Sequence, residues 1–360
     1  MTKKSKMKER NNALIAEQKN NGFYIARGIA ALLVILGHAV PFNSLVFRFI
    51  FCFHMPFFFI LSGITTSLHH KEEEKFLPFL FKKFKTLLIP CFIIRVLFLV
   101  CQQVKITSWQ ELLIKIFWNN DPNAEWFLPT LFCSQILLFF VVKAIKAIKN
   151  ASWRIFLFVF ILAVIPSLLG GIQRSEFFTM LPFKADTLLI SFSFMLIGFM
   201  LKKYSLHQEK TNPEHNAKKP SNFIIFAAAF SVYAIIHYTL NPVYSLPHGQ
   251  FGENPIIFLF IATVMSLIVI LLGIHLDGKL GVFEKTFTLL GRHSLFAYAA
   301  HLITFTIIST IIQKRFNMLI GPIYIEDEVL AALYFVGASV LIIIMLHIYD
   351  KIRRVIKKKN

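Results

Sequence analysis

Apolar residues in this chain gather into runs too long for a β-strand and too evenly apolar for one face of a surface helix. Ten runs of about 17–25 residues predict transmembrane helices at roughly 23–42, 45–67, 86–104, 126–142, 155–171, 184–201, 222–240, 255–274, 287–311 and 329–349. The second carries Pro56 at its middle, and the sixth opens on Lys184 and Asp186; bundles tolerate both a proline kink and a polar start. The connections are short, which predicts one membrane domain over 23–350 between a polar tail, 1–22, and a basic tail, 351–360. Within the connections, Lys105–Asn123 carries Trp109 and Trp118 with Leu112, Leu113 and Ile116, a pattern for a short helix lying in the membrane interface. Lys202–Asn222, with Pro213 and Pro220, reads as a linker. The fold class expected is an all-α polytopic membrane protein, a bundle of about ten transmembrane helices.

Composition strengthens that reading. The 360 residues are 56% hydrophobic and include 41 phenylalanines, with a mean hydropathy of +0.64, against an apolar share of about 45–50% in soluble domains. Charge adds direction. Counting Arg48, Lys184 and Arg292, near the ends of their runs, with the loops they adjoin, 29 of the 38 Lys and Arg residues fall in the termini and alternate loops and 7 on the opposite side; the other two, Arg27 and Arg95, lie inside spans. The positive-inside rule then predicts both termini in the cytoplasm and a multi-pass protein of the inner (cytoplasmic) membrane. The net charge of +19 reads as this bias and as contact with anionic membrane lipid, and nucleic acid is excluded as a partner. The first twenty residues lack the apolar stretch of a cleaved signal peptide. Cys52, Cys91, Cys101 and Cys133 sit in apolar runs without metal-ligand spacing, so neither a disulfide framework nor a metal site is expected.

An ionisable side chain inside a span is costly and points to function. Arg27 and His38 are eleven residues apart in the first span, about three turns and roughly 16 Å of rise, so they share one helix face. A neutral imidazole takes a proton from an attacking hydroxyl or carries an acyl group itself. The guanidinium of Arg27 is suited to a phosphate, or equally to anchoring the helix end at the membrane surface. Arg95, in the middle of the third span, requires a counter-charge or a wet cavity that the sequence does not reveal.

Four segments, RGIAALLVILGH at 27–38, FHMPFFFILSGI at 53–64, WFLPTLF at 126–132 and LGRHSLFAYAAHL at 290–302, occur in an order and spacing that resemble the membrane-bound acyltransferase 3 family. The FHMPFFFILSG form is most similar to its fucose 4-O-acetylase-like branch. The resemblance runs from Phe23 to Asp350. It implies an O-acyltransferase with acetyl-CoA as donor substrate, no permanently bound cofactor, and a cell-envelope glycan or lipid-linked sugar as acceptor.

On that resemblance His38 is catalytic, as general base or as transient acyl carrier, and Arg27 binds the donor's phosphates. Lys82 and Lys85 stand just ahead of the third span, where many relatives carry an arginine pair; lysine lacks the bidentate fork, and a positive-inside loop explains them equally. Asp186, in LPFKAD, orients His38 or binds an acceptor hydroxyl. Glu125 and Trp126 open the WFLPTLF segment, where Glu125 reads equally as a solvated interfacial acid. His54 and His301 lie in recognised segments, as catalytic groups or as interhelical hydrogen-bonding residues. Ser62 and Gly63 read as a close helix contact rather than a nucleophile. A rival class is a transporter or exporter of an envelope glycan or lipid-linked sugar, which also places His, Arg and Asp within the membrane. It predicts no need for acyl-CoA.

Overall fold

The computed structural model describes residues 3–69, 75–101, 105–117, 126–148, 187–211, 232, 244–246, 249–251, 255–316 and 323–359. Helix α1, Lys3–Ala39, runs unbroken for 37 residues and stops two residues before Pro41, which disfavours helical geometry in the residue ahead of it. Ser44 then starts α2, Leu45–Phe51, by accepting the Phe47 N–H on its hydroxyl at 3.2 Å. The chain breaks at Cys52–Phe53 and resumes as α3, His54–His69. Pro56 accounts for the break: a continuous helix would need the N–H it lacks and would press its ring on the carbonyl of Cys52. The second apolar run is therefore two helical segments, α2 and α3, that together make one span interrupted at Cys52–Phe53.

Helix α4, Phe76–Lys83, a π turn, Phe84–Leu88, and α5, Ile89–Cys101, follow without interruption. Pro90 crowds the Thr86 carbonyl, and the wider π turn makes room for it. The third span consequently begins about ten residues earlier than its apolar run indicated, and Lys82 and Lys85 lie within its helix instead of ahead of it. Then come α6, Trp109–Phe117, α7, Phe127–Ala147, and α8, Leu188–Thr211. A two-residue antiparallel pairing joins β1, Tyr244–Ser245, to β2, Gln250–Phe251. Helices α9, Pro255–Leu276, α10, Val282–Arg292, α11, Ser294–Phe316, and α12, Glu328–Lys359, complete the chain. The run at 287–311 is thus divided at His293, where the backbone leaves helical geometry (φ −114°, ψ 30°).

Among the described residues seven helices are long and apolar enough to cross a membrane: Asn21–Ala39, Leu45–Thr66, Phe76–Cys101, Phe127–Ala144, Pro255–Leu276, Ser294–Arg315 and Glu328–Ile352. The chain is an all-α polytopic membrane protein. Leu188–Lys202 is a shorter apolar helix at the sixth predicted span; the predicted span at 155–171, and all of that at 222–240 except residue 232, lie outside the described residues.

Two compact units divide the chain, one built from residues 1–50, 220–235 and 267–360, the other from 51–219 and 236–266. In the first, glycines let backbones touch. A Cβ at Gly28 would strike the Phe287 carbonyl of α10, and one at Gly291 the Tyr24 carbonyl of α1. The core there joins Ala31, Ile35 and Ala39 of α1 to Ala297, Ala300 and Phe305 of α11 and to Tyr334, Ala338 and Ile342 of α12. In the second unit α3 crosses α8 at Gly63 and Gly198, where a Cβ would strike the carbonyls of Met195 and Ile60 respectively. The reading of Gly63 as a close-approach residue holds. Its neighbour Ser62 accepts a hydrogen bond from Gln135 Nε2 of α7 at 2.5 Å.

Candidate active site

Because α1 is unbroken, the eleven-residue spacing holds in space and Arg27 and His38 keep to one face. His38 is buried, 9% exposed, at the C-terminal end of the helix. The last carbonyls of a helix have no intrahelical partner. Here the His38 carbonyl accepts the Tyr324 N–H at 2.9 Å and the Ala39 carbonyl accepts the Ile325 N–H at 3.0 Å, so the segment ahead of α12 closes the end of α1. Asp327 starts α12 in turn, accepting the Leu330 N–H on Oδ1 at 2.7 Å.

An aromatic wall adjoins the imidazole. The Tyr324 ring lies 5.7 Å from the His38 ring, 5.4 Å from Phe42 and 5.6 Å from Phe47. From α11, the His301 ring stands 5.0 Å from His38 at an interplanar angle of 32°. His301 is 1% exposed and its Nδ1 makes a 2.5 Å hydrogen bond to the Tyr298 carbonyl, while its buried Nε2 has no hydrogen-bond partner among the described residues. The structure therefore brings two histidines from separate segments of the sequence together in an apolar bed.

Arg27 is half-buried, and makes no hydrogen bond or ion pair among the described residues. Asn21, six residues ahead of Arg27 on α1, lines a pocket of about 620 Å³ together with Glu284, Lys285, Arg292, His347 and Asp350, among others; Arg27 is not part of that lining. Arg292 also lies over the Tyr24 ring, 5.3 Å from its centroid. Asp277, just beyond α9, is held above the ordinary carboxylate range by burial and then by the charge of Glu284.

Other candidates belong to the second unit. His54 is buried against Phe51, with ring centroids 4.6 Å apart. Trp126 is buried at the start of α7, and its carbonyl accepts the Thr130 hydroxyl at 2.9 Å. Lys82 and Lys85 are exposed. Arg95 is buried, donating from Nε to the Lys115 carbonyl at 2.9 Å in the last turn of α6; the negative end of a helix dipole thus meets a buried guanidinium. Helix α6, the interfacial helix expected within 105–123, is closed at its other end by Ser108, which accepts the Glu111 N–H at 3.1 Å, and by Glu111, which accepts the Thr107 N–H at 2.8 Å. Those Thr107 hydrogen bonds, backbone first and hydroxyl second, hold Glu111 below the usual carboxylate range. Asp186 and Glu125 lie outside the described residues.

Sequence reasoning missed Tyr324. It follows Gly321-Pro322 in a short segment with no periodicity, and only its contacts reveal it. The family model for an acyltransferase domain, that of acyltransferase 3, matches residues 20–348 and so takes in both histidines and Arg27. No curated protein and no solved structure matches the chain.

Proposed function

We propose, since the chain belongs to the acyltransferase 3 family and is a membrane acyltransferase, that it transfers an acetyl group from cytoplasmic acetyl-CoA to a hydroxyl of a cell-envelope glycan or lipid-linked sugar, as the fucose 4-O-acetylase-like branch would. The observation that carries this reading is His38, buried at one end of an unbroken helix whose same face bears Arg27 about 16 Å away. That rise suits a donor held by its phosphates at Arg27, with the thioester reaching His38. The pocket near Asn21 supports it, with a volume in the range of ligand sites and with Lys285 and Arg292 among its lining. The exposed Lys82 and Lys85 are further phosphate candidates, and Asp186 is a candidate for binding the acceptor hydroxyl.

His38 takes the hydroxyl proton as the oxygen attacks the thioester carbon; a C–O bond forms, the C–S bond breaks, and the thiolate leaves with that proton. The protein would lie in the inner membrane with both termini cytoplasmic. The test is mass spectrometry of envelope glycans from cells carrying the wild-type chain or His38→Ala. Loss of an acetyl mass from one glycan, with normal amounts of the variant protein in the membrane, is the expected result. An unchanged acetylation pattern would sink the catalytic assignment.

A further inference from the structure

Burying a bare hydrogen-bond acceptor costs stability, so a ring nitrogen without a partner in a packed core calls for an explanation. His301 Nε2 is such an atom. A carbonyl oxygen only accepts, so the bond from Nδ1 to the Tyr298 carbonyl requires the proton on Nδ1 and leaves a lone pair on Nε2. The His38 imidazole lies 5.0 Å away between centroids, a separation from which a small ring rotation brings two ring edges into hydrogen-bond contact.

We infer that His301 is a positioning residue for His38: its Nε2 accepts a hydrogen bond from one ring nitrogen of His38 while the other takes the proton of the attacking hydroxyl. The inference rests on the catalytic reading of His38 above. It assigns to an imidazole the orienting task that a carboxylate performs in hydrolytic triads. As the proton arrives, positive charge is shared across the hydrogen bond to His301; when the thiolate leaves, the proton departs from His38 and both rings are neutral again. The Tyr298 carbonyl fixes the tautomer throughout. Among the described residues, the other titratable side chains around the pair are Tyr298 on α11, Tyr324 beside His38 and Tyr334 on α12.

Two substitutions separate this role from packing. In His301→Asn the side-chain amide keeps a donor for the Tyr298 carbonyl but nothing reaches the Nε2 position; in His301→Gln an amide oxygen reaches it. Inside-out membrane vesicles containing the full chain, given radiolabelled acetyl-CoA, report acetyl incorporation into vesicle glycan. The expected result is a fall in kcat of about 100-fold in His301→Asn, with KM for acetyl-CoA unchanged, and recovery of about 10-fold of that loss in His301→Gln. Equal losses in the two variants, wild-type rates in both, or a raised KM would overturn the inference. Histidine-selective nitrogen NMR of the wild-type chain tests it should His301→Asn misfold: a proton on Nε2 of His301 overturns it, and a bare Nε2 supports it. Activity in His38→Ala would instead defeat the underlying catalytic reading; an inactive His38→Ala beside fully active His301 variants would defeat this inference alone.

Discussion

A guanidinium keeps its charge in almost any surroundings, so a half-buried Arg27 with no carboxylate among its described neighbours is available to an anionic ligand. Replacing it with alanine removes charge-assisted hydrogen bonds worth about 1.5–3 kcal/mol, so KM for acetyl-CoA should rise by roughly 10–100-fold. Arg27→Lys should recover part of this, since lysine offers charge without the fork, and added salt should weaken binding in both. Titration of acetyl-CoA against vesicle activity checks the series; an unchanged KM in Arg27→Ala would reduce the residue to a helix anchor. Both Arg27 and His38 were legible because an ionisable side chain in an apolar run stands out, and a helix with no internal proline preserves their register. Arg95 stood out equally, yet the partner of its Nε is a backbone carbonyl. Every residue has one, so no sequence pattern points to Lys115.

At the scale of elements, apolar length located helices well and their interruptions poorly. Pro56 marked the second run, but whether a proline kinks a helix or ends it depends on neighbours that satisfy the freed carbonyls. The break at His293 had no proline to announce it, because α10 is amphipathic and packs along α1 through Gly28 and Gly291. Glycine contacts make a sharp prediction. Gly63→Ala forces a methyl group into the Met195 backbone and should cost about 1–3 kcal/mol, whereas at Gly337 the nearest atom to an added Cβ is a side-chain methyl of Ile308 at 3.6 Å. Thermal unfolding in detergent should show a lowered Tm for Gly63→Ala and none for Gly337→Ala. The cap of α6 gives a prediction in pH. A carboxylate whose folded pKa is depressed stabilises the fold above its unfolded value and loses that contribution as pH falls through the folded one. Amide protection in 109–117, taken relative to the intrinsic exchange rate at each pH, should therefore fall on acidification below about pH 4, and Glu111→Gln should show the lowered protection already at neutral pH.

For the molecule as a whole, a single distribution, that of Lys and Arg among the loops, bears on orientation. In a chain whose natural cysteines are replaced, Asn21→Cys should react with a membrane-impermeant maleimide only after the cells are opened, and Ser44→Cys, just past α1, should react in intact cells. The reverse pattern would put Arg27 on the wrong side for a cytoplasmic donor. What the sequence withheld at this scale is adjacency: His38 and His301 are 263 residues apart along the chain, and no periodicity relates one helix to another. Tyr324 was hidden for a related reason, as it acts from an irregular segment.

That tyrosine also has a left-handed backbone, with φ of 55°, a conformation costing a residue with a Cβ roughly 1–2 kcal/mol. Asparagine would ease the backbone and give up the ring; valine would give up the ring and, being β-branched, would strain the backbone further. A saturation library at position 324 should then rank by handedness tolerance as much as by size, with asparagine expressing far better than valine although neither presents an aromatic face to His38. At this position the backbone and the ring pull in opposite directions, so a substitution that relieves one gives up the other.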